Sequence, residues 1–208
     1  MSGFISGYYR FSVWTMRLAY LNVCWVVFTL LGLGIFGFMP ATTAMFAIVR
    51  KWHNGETDIP VFSTFWETYR TEFLKTNAIG LVLLVVGYVL IVELHILRAQ
   101  ESMVYYIVSF VVLTTLALYV VVLTYFFPIF VHFNLKTIDY LKWPFIIGII
   151  HPILTVFMLG VIGGAYYLIW ISIPALFFFF GGSVSAFFIM WAASKTFAKY
   201  ESQKVVVG

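Results

Sequence analysis

The stretch "LAYLNVCWVVFTLLGLGIFGFMPATTAMFAIV", Leu18 to Val49, decides the fold, because it is an almost uninterrupted apolar run of 32 residues. A membrane span needs about 20 such residues, and a straight helix of this length would measure about 48 Å, too long for one crossing. Pro40 removes a backbone hydrogen bond and follows several glycines, so we expect the helix to break there. The run therefore predicts a membrane span over residues 18–39, followed by a short helix.

The composition of the whole chain indicates a membrane protein. Of its 208 residues, 63% are hydrophobic and 10% charged, with a mean hydropathy of +1.02, whereas a soluble domain is about 25% charged. Four more apolar runs predict spans over residues 77–97, 103–130, 145–169 and 174–193. We therefore predict one domain over residues 1–208, an all-α polytopic membrane helix bundle of about five transmembrane helices with short cytoplasmic interfacial helices.

The segment 41–75, between the first two spans, is predicted to be cytoplasmic or interfacial. Within it, five aromatic residues recur at helical spacing and form one face: Phe62, Phe65, Trp66, Tyr69 and Phe73. Such a face fits either a helix resting in the lipid head groups or a helix docking onto another protein, since aromatic residues favour both sites. Together with Arg50, Lys51 and Trp52, these residues are our candidates for docking a partner.

The basic residues suggest an orientation. With five crossings, nine Lys and Arg side chains fall on one side and three, Arg10, Arg17 and Arg98, on the other, counted from the sequence. Because basic loops remain cytoplasmic, this predicts a cell-membrane protein with its N-terminus outside and its C-terminus inside. In a variant, the first run dips into the membrane and residues 41–49 bring it back. Eleven basic residues then lie on the cytoplasmic side and one on the outer side, although a segment of residues 41–49 is too short to cross the membrane alone.

Ionisable side chains inside a membrane are costly and are therefore functional candidates. Here they are Glu93, His95, Arg98, His132 and His151. Glu93 and His95 lie two positions apart and cannot form one site on a helix, whereas His95 and Arg98 share a face near the end of a span. The histidines lack the spacing of a metal-binding helix. We therefore expect no metal, no cofactor and no catalytic residues, and hence no enzyme.

Small residues at four-residue spacing predict close helix packing. Gly160 and Gly164 form one such pair, and Gly182 with Ala186 forms another. In membranes, small residues let helix backbones approach one another. We expect these glycines, like the break at Pro40, to shape the bundle.

Several short motifs together suggest a family. They are Leu21 and Asn22 followed by Trp25, Pro40-Ala41-Thr42, Arg50 and Trp52, Gly55 and Glu56, Pro60 and Phe62, Phe65 and Trp66, "FPIFVHF" from Phe127 to Phe133, and "HPI" from His151 to Ile153. In these residues the chain resembles the YesL-like family of small bacterial integral membrane proteins, whose function is uncharacterised. The likeness extends over nearly the whole chain.

The resemblance implies an accessory role in sugar uptake, since members are often encoded beside ABC importers of sugars and glycan-degrading enzymes. The expected partners are the lipid bilayer and the permease subunits of an oligosaccharide importer, and not nucleic acid. Two alternatives are a small carrier or channel, which would rest on Glu93, His95 and His151, and a membrane enzyme, which would rest only on the histidines. The family supplies no catalytic residues.

Overall fold

The computed structural model describes the backbone of residues 2–204 and the side chains of residues 7–197. Over these residues the chain forms seven helices and no strand. They are α1 (Ser2–Leu31), α2 (Ile35–His53), α3 (Val61–Arg98), α4 (Met103–His132), α5 (Asp139–Ile150), α6 (Pro152–Ser172) and α7 (Ala175–Lys204). The predicted all-α class is confirmed.

Five helical segments in the described part of the chain are long and apolar enough to cross a membrane. These are Gly7–Leu31, Val61–Arg98, Met103–His132, Pro152–Ser172 and Ala175–Phe197. Most side chains in these segments are not covered by other parts of the protein, and many of the exposed ones are Leu, Val, Ile or Phe. Exposed apolar surface on this scale fits contact with lipid. The predicted number of long apolar helices, about five, is confirmed.

The first apolar run breaks at residues 32–34, so the prediction of a break at Pro40 is wrong. Leu33 and Gly34 have φ angles of 58° and 75°, which end α1. Pro40 instead lies inside α2. A proline leaves the carbonyl four residues earlier without its helical donor, and here the side-chain amide of Asn77 donates to that carbonyl, on Phe36, at 2.9 Å. Because this carbonyl is satisfied from α3, the helix continues through the proline.

Helices α1 and α2 form a tightly closed antiparallel hairpin. Near its turn, a methyl group placed on Gly37 would lie 2.3 Å from the carbonyl oxygen of Thr29. Further along, the indole of Trp25 donates to the hydroxyl of Thr42 at 3.0 Å. At the open end, the rings of Trp14 and Trp52 lie 5.6 Å apart, edge to face. The hairpin thus brings Trp52, near the end of α2, back beside Trp14 in the first half of α1.

Helix α2 forms the centre of the protein and is not the peripheral interfacial helix that we expected. Residues 40–46, 48 and 49 are buried, and the helix packs against α1, α3, α4 and α7. The first half of α3 continues without interruption into the second span. The segment 41–75 therefore consists of a core helix, a short connection and the beginning of a long helix.

The predicted span over residues 145–169 is divided at His151. Helix α5 ends just before it and α6 begins just after it, because the residue before a proline is disfavoured in helical conformation. Pro152 leaves the carbonyl of Gly148 without its helical donor, and the hydroxyl of Thr155 lies 3.3 Å from that oxygen. The hydroxyl of Tyr125 in α4 lies 3.0 Å from that of Thr155. Side chains thus satisfy the carbonyls freed by Pro40 and Pro152.

Candidate functional site

The aromatic face of α3 packs around a single side chain of α1, Phe28. The ring of Phe28 lies 5.0 Å from that of Phe65 and 5.2 Å from that of Tyr69. Phe65 is fully buried, and the Tyr69 hydroxyl donates to the Phe28 carbonyl at 3.3 Å. Half-buried Phe73 stacks edge-on against Tyr69. This part of the face is therefore a contact within the chain, and Phe65 and Tyr69 are not available to a partner.

The same stretch of α3 also presents a row of partly exposed side chains at four-residue spacing. Two of its rings, Phe62 and Trp66, lie 5.8 and 5.6 Å from that of Phe28 and keep about half of their surface uncovered. Phe62 is 56% exposed, Trp66 46% and Leu74 82%, and Arg70 between them is also exposed. Residues four apart lie on the same helix face. We call Phe62, Trp66, Arg70 and Leu74 the exposed row. It joins two aromatic rings, a cation and an aliphatic side chain on one surface.

The three candidates at the end of α2 have largely internal positions. The guanidinium of Arg50 donates to the carbonyl of Val131 in the last turn of α4, where a cation interacts favourably with the helix dipole. Trp52 is 4% exposed and packs against Trp14. Lys51 is partly exposed. Arg50 and Trp52 therefore join helices to one another, and Trp52 is covered, whereas Arg50 and Lys51 are each partly exposed.

Lys75 belongs to a polar cluster that sequence reasoning missed. Its ammonium lies 5.0 Å from the ring centre of Phe130 and 4.7 Å from that of Tyr140, a cation–π arrangement. The Tyr140 hydroxyl donates to the Phe133 carbonyl at 3.0 Å and accepts from the Leu135 N–H at 3.1 Å. The cluster fixes the connection between α4 and α5. It has no local sequence signal, because its members lie on separate elements.

Asn22 forms a buried polar link between α1 and α7. It is fully buried, donates to the Phe178 carbonyl at 2.6 Å and accepts from the Ser183 N–H at 2.9 Å. Gly182 leaves the space for it, since a methyl group there would lie 3.0 Å from the Asn22 side-chain oxygen and 3.2 Å from Trp25. Gly182 is therefore a close-packing position, as predicted. The sequence signal that could have identified this link is a single Asn, Asn22, within a long apolar run.

The candidates at the far end of α3 do not gather into one polar site. Glu93, His95 and Arg98 are all exposed. Glu93 lines a shallow groove along α3 itself, whereas Arg98 borders a cleft between α3 and α4. The arrangement gives Glu93 and Arg98 different surroundings and no shared pathway through the described bundle.

The two histidine candidates lie at different helix junctions. His132 ends α4, with its ring 4.7 Å from both Phe133 and Phe197. His151 is half-buried between α5 and α6. In the described ranges, no three His, Cys, Asp or Glu side chains lie together as a metal-binding group. Both histidines thus occupy positions where helices join.

Gly160 and Gly164 lie on the outer surface of α6. A methyl group at either position would meet no atom within 4 Å. The prediction that this pair packs helices together is therefore wrong within the chain, because neither glycine is approached by another helix.

Comparison with known proteins places the chain among relatives of undetermined function. Residues 18–94 match the family described as "Protein of unknown function, DUF624". Three relatives come from Bacillus subtilis (strain 168), each described as an uncharacterized protein. YteU is 36% identical over 86% of this chain and 79% of its own length, YesV 37% over 90% of each, and YesL 37% over 86% and 85%. No solved structure gives a significant match. The resemblance to the YesL-like family is confirmed.

Proposed function

The chain belongs to the DUF624 family of proteins of unknown function, and on that premise we propose that it is a non-enzymatic accessory membrane protein. In this role α3 docks onto the permease of a carbohydrate importer of the ABC class. The observation that carries the proposal is the exposed row, Phe62, Trp66, Arg70 and Leu74. The row lies beside Phe65, Tyr69 and Phe73 of the same helix, which are packed within the chain.

The length of α3 favours a docking role over rest in the lipid head groups. At 38 residues the helix measures about 57 Å, against a hydrocarbon core of about 30 Å. A continuous helix cannot lie in the membrane plane along one half and cross the membrane along the other. We infer that the start of α3 extends beyond the hydrocarbon core, and that the exposed row runs from there into the membrane beside Phe28 of α1.

The chemistry of the exposed row fits a protein partner. Aromatic residues and Arg are enriched at the energetically important centres of protein interfaces. Phe65 and Tyr69 fix α3 against Phe28, so the row is held rigid before a partner binds, which lowers the entropic cost of association. The permease is proposed as partner from the resemblance, because YesL-like proteins are often encoded beside sugar importers.

We further propose that both termini lie in the cytoplasm, in place of the N-terminus outside that the sequence suggested. Arg17 in α1 pairs with Asp58 beyond α2, at 3.0 Å, and Trp14 packs against Trp52. The early part of α1 and the α2–α3 connection therefore lie at the same end of the hairpin. The remaining four spans, α3, α4, α6 and α7, then return the C-terminus to that side.

The distribution of basic residues supports this orientation. It leaves Arg98 as the one basic residue on the outer side and puts eleven on the cytoplasmic side, counted from the sequence. Two of the eleven, Lys199 and Lys204, lie outside the described side chains. The hairpin removes the earlier objection that residues 41–49 are too short to return, because α2 begins at Ile35 and has 19 residues.

Truncating the exposed row should release the partner. We expect the double variant Phe62→Ala, Trp66→Ala to reduce importer co-purification from mild detergent at least about tenfold, since truncating a central aromatic residue typically costs 2 kcal/mol or more. Uptake of the importer's oligosaccharide in cells should fall in parallel. The measurement is the amount of permease recovered with the tagged chain, at matched expression.

The matched control is Val85→Ala, Tyr88→Ala, which removes two side chains, 50% and 66% exposed, from the apolar half of the same helix. It should leave both association and uptake unchanged. The proposal fails if wild-type protein recovers no permease, or if the two double variants recover it equally.

A further inference from the structure

A cleft lies between the end of α3 and the first turns of α4, at the end of the bundle opposite the hairpin opening. Its volume is about 360 Å³. Arg98 and Gln100 form its polar side, and Leu97, Phe110 and Leu113 form its apolar side. The cleft thus has a charged and polar side next to an apolar side.

The cleft is built by two long helices that lie side by side. The groove beside Glu93 is lined by α3 alone, and the depression beside His151 is lined by residues 150–157 at the α5–α6 junction. In the α3–α4 cleft, Tyr106 is packed edge-on against Phe110, with ring centres 5.1 Å apart. Its hydroxyl-bearing ring borders the same space as Arg98. A ligand there would have walls on two sides.

From this arrangement we propose that the cleft binds one phospholipid whose head group carries both a phosphate and a primary ammonium group. The phosphate binds Arg98 and Gln100, and an acyl chain lies against Leu97, Phe110 and Leu113. Phosphatidylethanolamine has this chemistry. Arginine suits phosphate because its planar guanidinium donates several hydrogen bonds in a fixed geometry.

The charge of Arg98 in the cleft and that of neighbouring Glu101 favour one class of head group. Arg98 forms no ion pair with any described carboxylate, so its charge is available. Glu101 does not line the cleft itself, but it follows Gln100 directly in the exposed α3–α4 connection. A purely anionic head group would be repelled by this carboxylate, whereas an ammonium group would be attracted to it. The pair of opposite charges therefore favours a zwitterionic lipid with a hydrogen-bonding amine.

Photocrosslinking in nanodiscs tests the proposal independently of any importer. The full chain is reconstituted with phosphatidylethanolamine, phosphatidylcholine or phosphatidylglycerol carrying the same diazirine in one acyl chain, and crosslinked peptides are mapped by mass spectrometry. We expect phosphatidylethanolamine to label residues 97–113 several-fold more than either other lipid. Arg98→Gln should reduce this labelling about tenfold, since hydrogen bonds to charged groups are among the stronger ones.

Labelling near Lys195 at the cytoplasmic end is the internal control and should not change in Arg98→Gln. Leu113→Trp, which fills the apolar side, should reduce labelling by all three lipids. Soluble glycerophosphoethanolamine should not compete, because it lacks the acyl chain. Equal labelling by the three lipids, stronger labelling by phosphatidylglycerol, competition by the soluble head group, or unchanged labelling in Arg98→Gln would each overturn the proposal.

Discussion

Replacing Gly37 by leucine is expected to abolish the accumulation of folded protein in the membrane. A methyl group at this position would lie 2.3 Å from the Thr29 carbonyl oxygen and 2.7 Å from that of Phe28. Both neighbours are backbone atoms of α1, which cannot move aside without opening the hairpin. Since α2 is the core helix against which α1, α3, α4 and α7 pack, an open hairpin leaves the rest of the bundle without its centre.

The measurement is size-exclusion chromatography of a fluorescent-protein fusion extracted in mild detergent. The matched control is Gly160→Leu, the same substitution at a helical glycine where an added methyl group meets no atom within 4 Å. The control should elute as a symmetric peak at the wild-type position, whereas Gly37→Leu should appear in the void volume or not at all. A wild-type profile for Gly37→Leu would show that the hairpin is not closed as described.

Replacing Asn22 by alanine is expected to lower the melting temperature by roughly 5 °C. The variant leaves the Phe178 carbonyl and the Ser183 N–H without their buried partner. An unsatisfied buried group costs about 1–3 kcal/mol, and hydrogen bonds between membrane helices measure about 0.6–2 kcal/mol. For a chain of this size, about 1 kcal/mol corresponds to about 2–4 °C. Thermal unfolding in detergent measures the shift.

Two further variants separate the Asn22 link from a general loss of polarity. Thr114→Ala removes a hydroxyl that donates only to Phe110 in its own helix and should change the melting temperature little. Gly182→Ala should destabilise the wild type, because its methyl group meets Asn22, but cost less in the Asn22→Ala background. Additive effects of the two substitutions would contradict direct contact between α1 and α7 at this point.

The helix break shows why local patterns predicted the elements better than their boundaries. Composition and apolar length were sufficient for five spans, because crossing a bilayer imposes a minimum length on each helix. The location of the break was not local. Pro40 remains helical because Asn77, 41 positions after Phe36, donates to the Phe36 carbonyl that the proline frees. A prediction based only on residues close in sequence to Pro40 cannot identify Asn77 as the donor.

The candidate site shows the same limit. Helical spacing correctly placed five aromatic residues on α3, but the residue that covers part of that face, Phe28, lies on α1. The division into buried Phe65 and exposed Trp66 therefore required the tertiary structure. Lys75 and Tyr140 are separated by 65 positions, and Asn22 and Ser183 by 161. No spacing rule connects residues so far apart in the chain.

The central claim is that the α1–α2 hairpin returns to the cytoplasmic side and leaves the α2–α3 connection and the start of α3 there. Site-directed cysteine labelling tests it most directly, in a Cys24→Ala background that removes the single native cysteine, which is buried. Cysteines are introduced singly at Ser6, Glu56 and Glu101, and intact cells are treated with a membrane-impermeant maleimide. We predict that Glu101→Cys reacts in intact cells, whereas Ser6→Cys and Glu56→Cys react only after the membrane is permeabilised. Labelling of Ser6→Cys in intact cells, with Glu56→Cys still protected, would contradict the account.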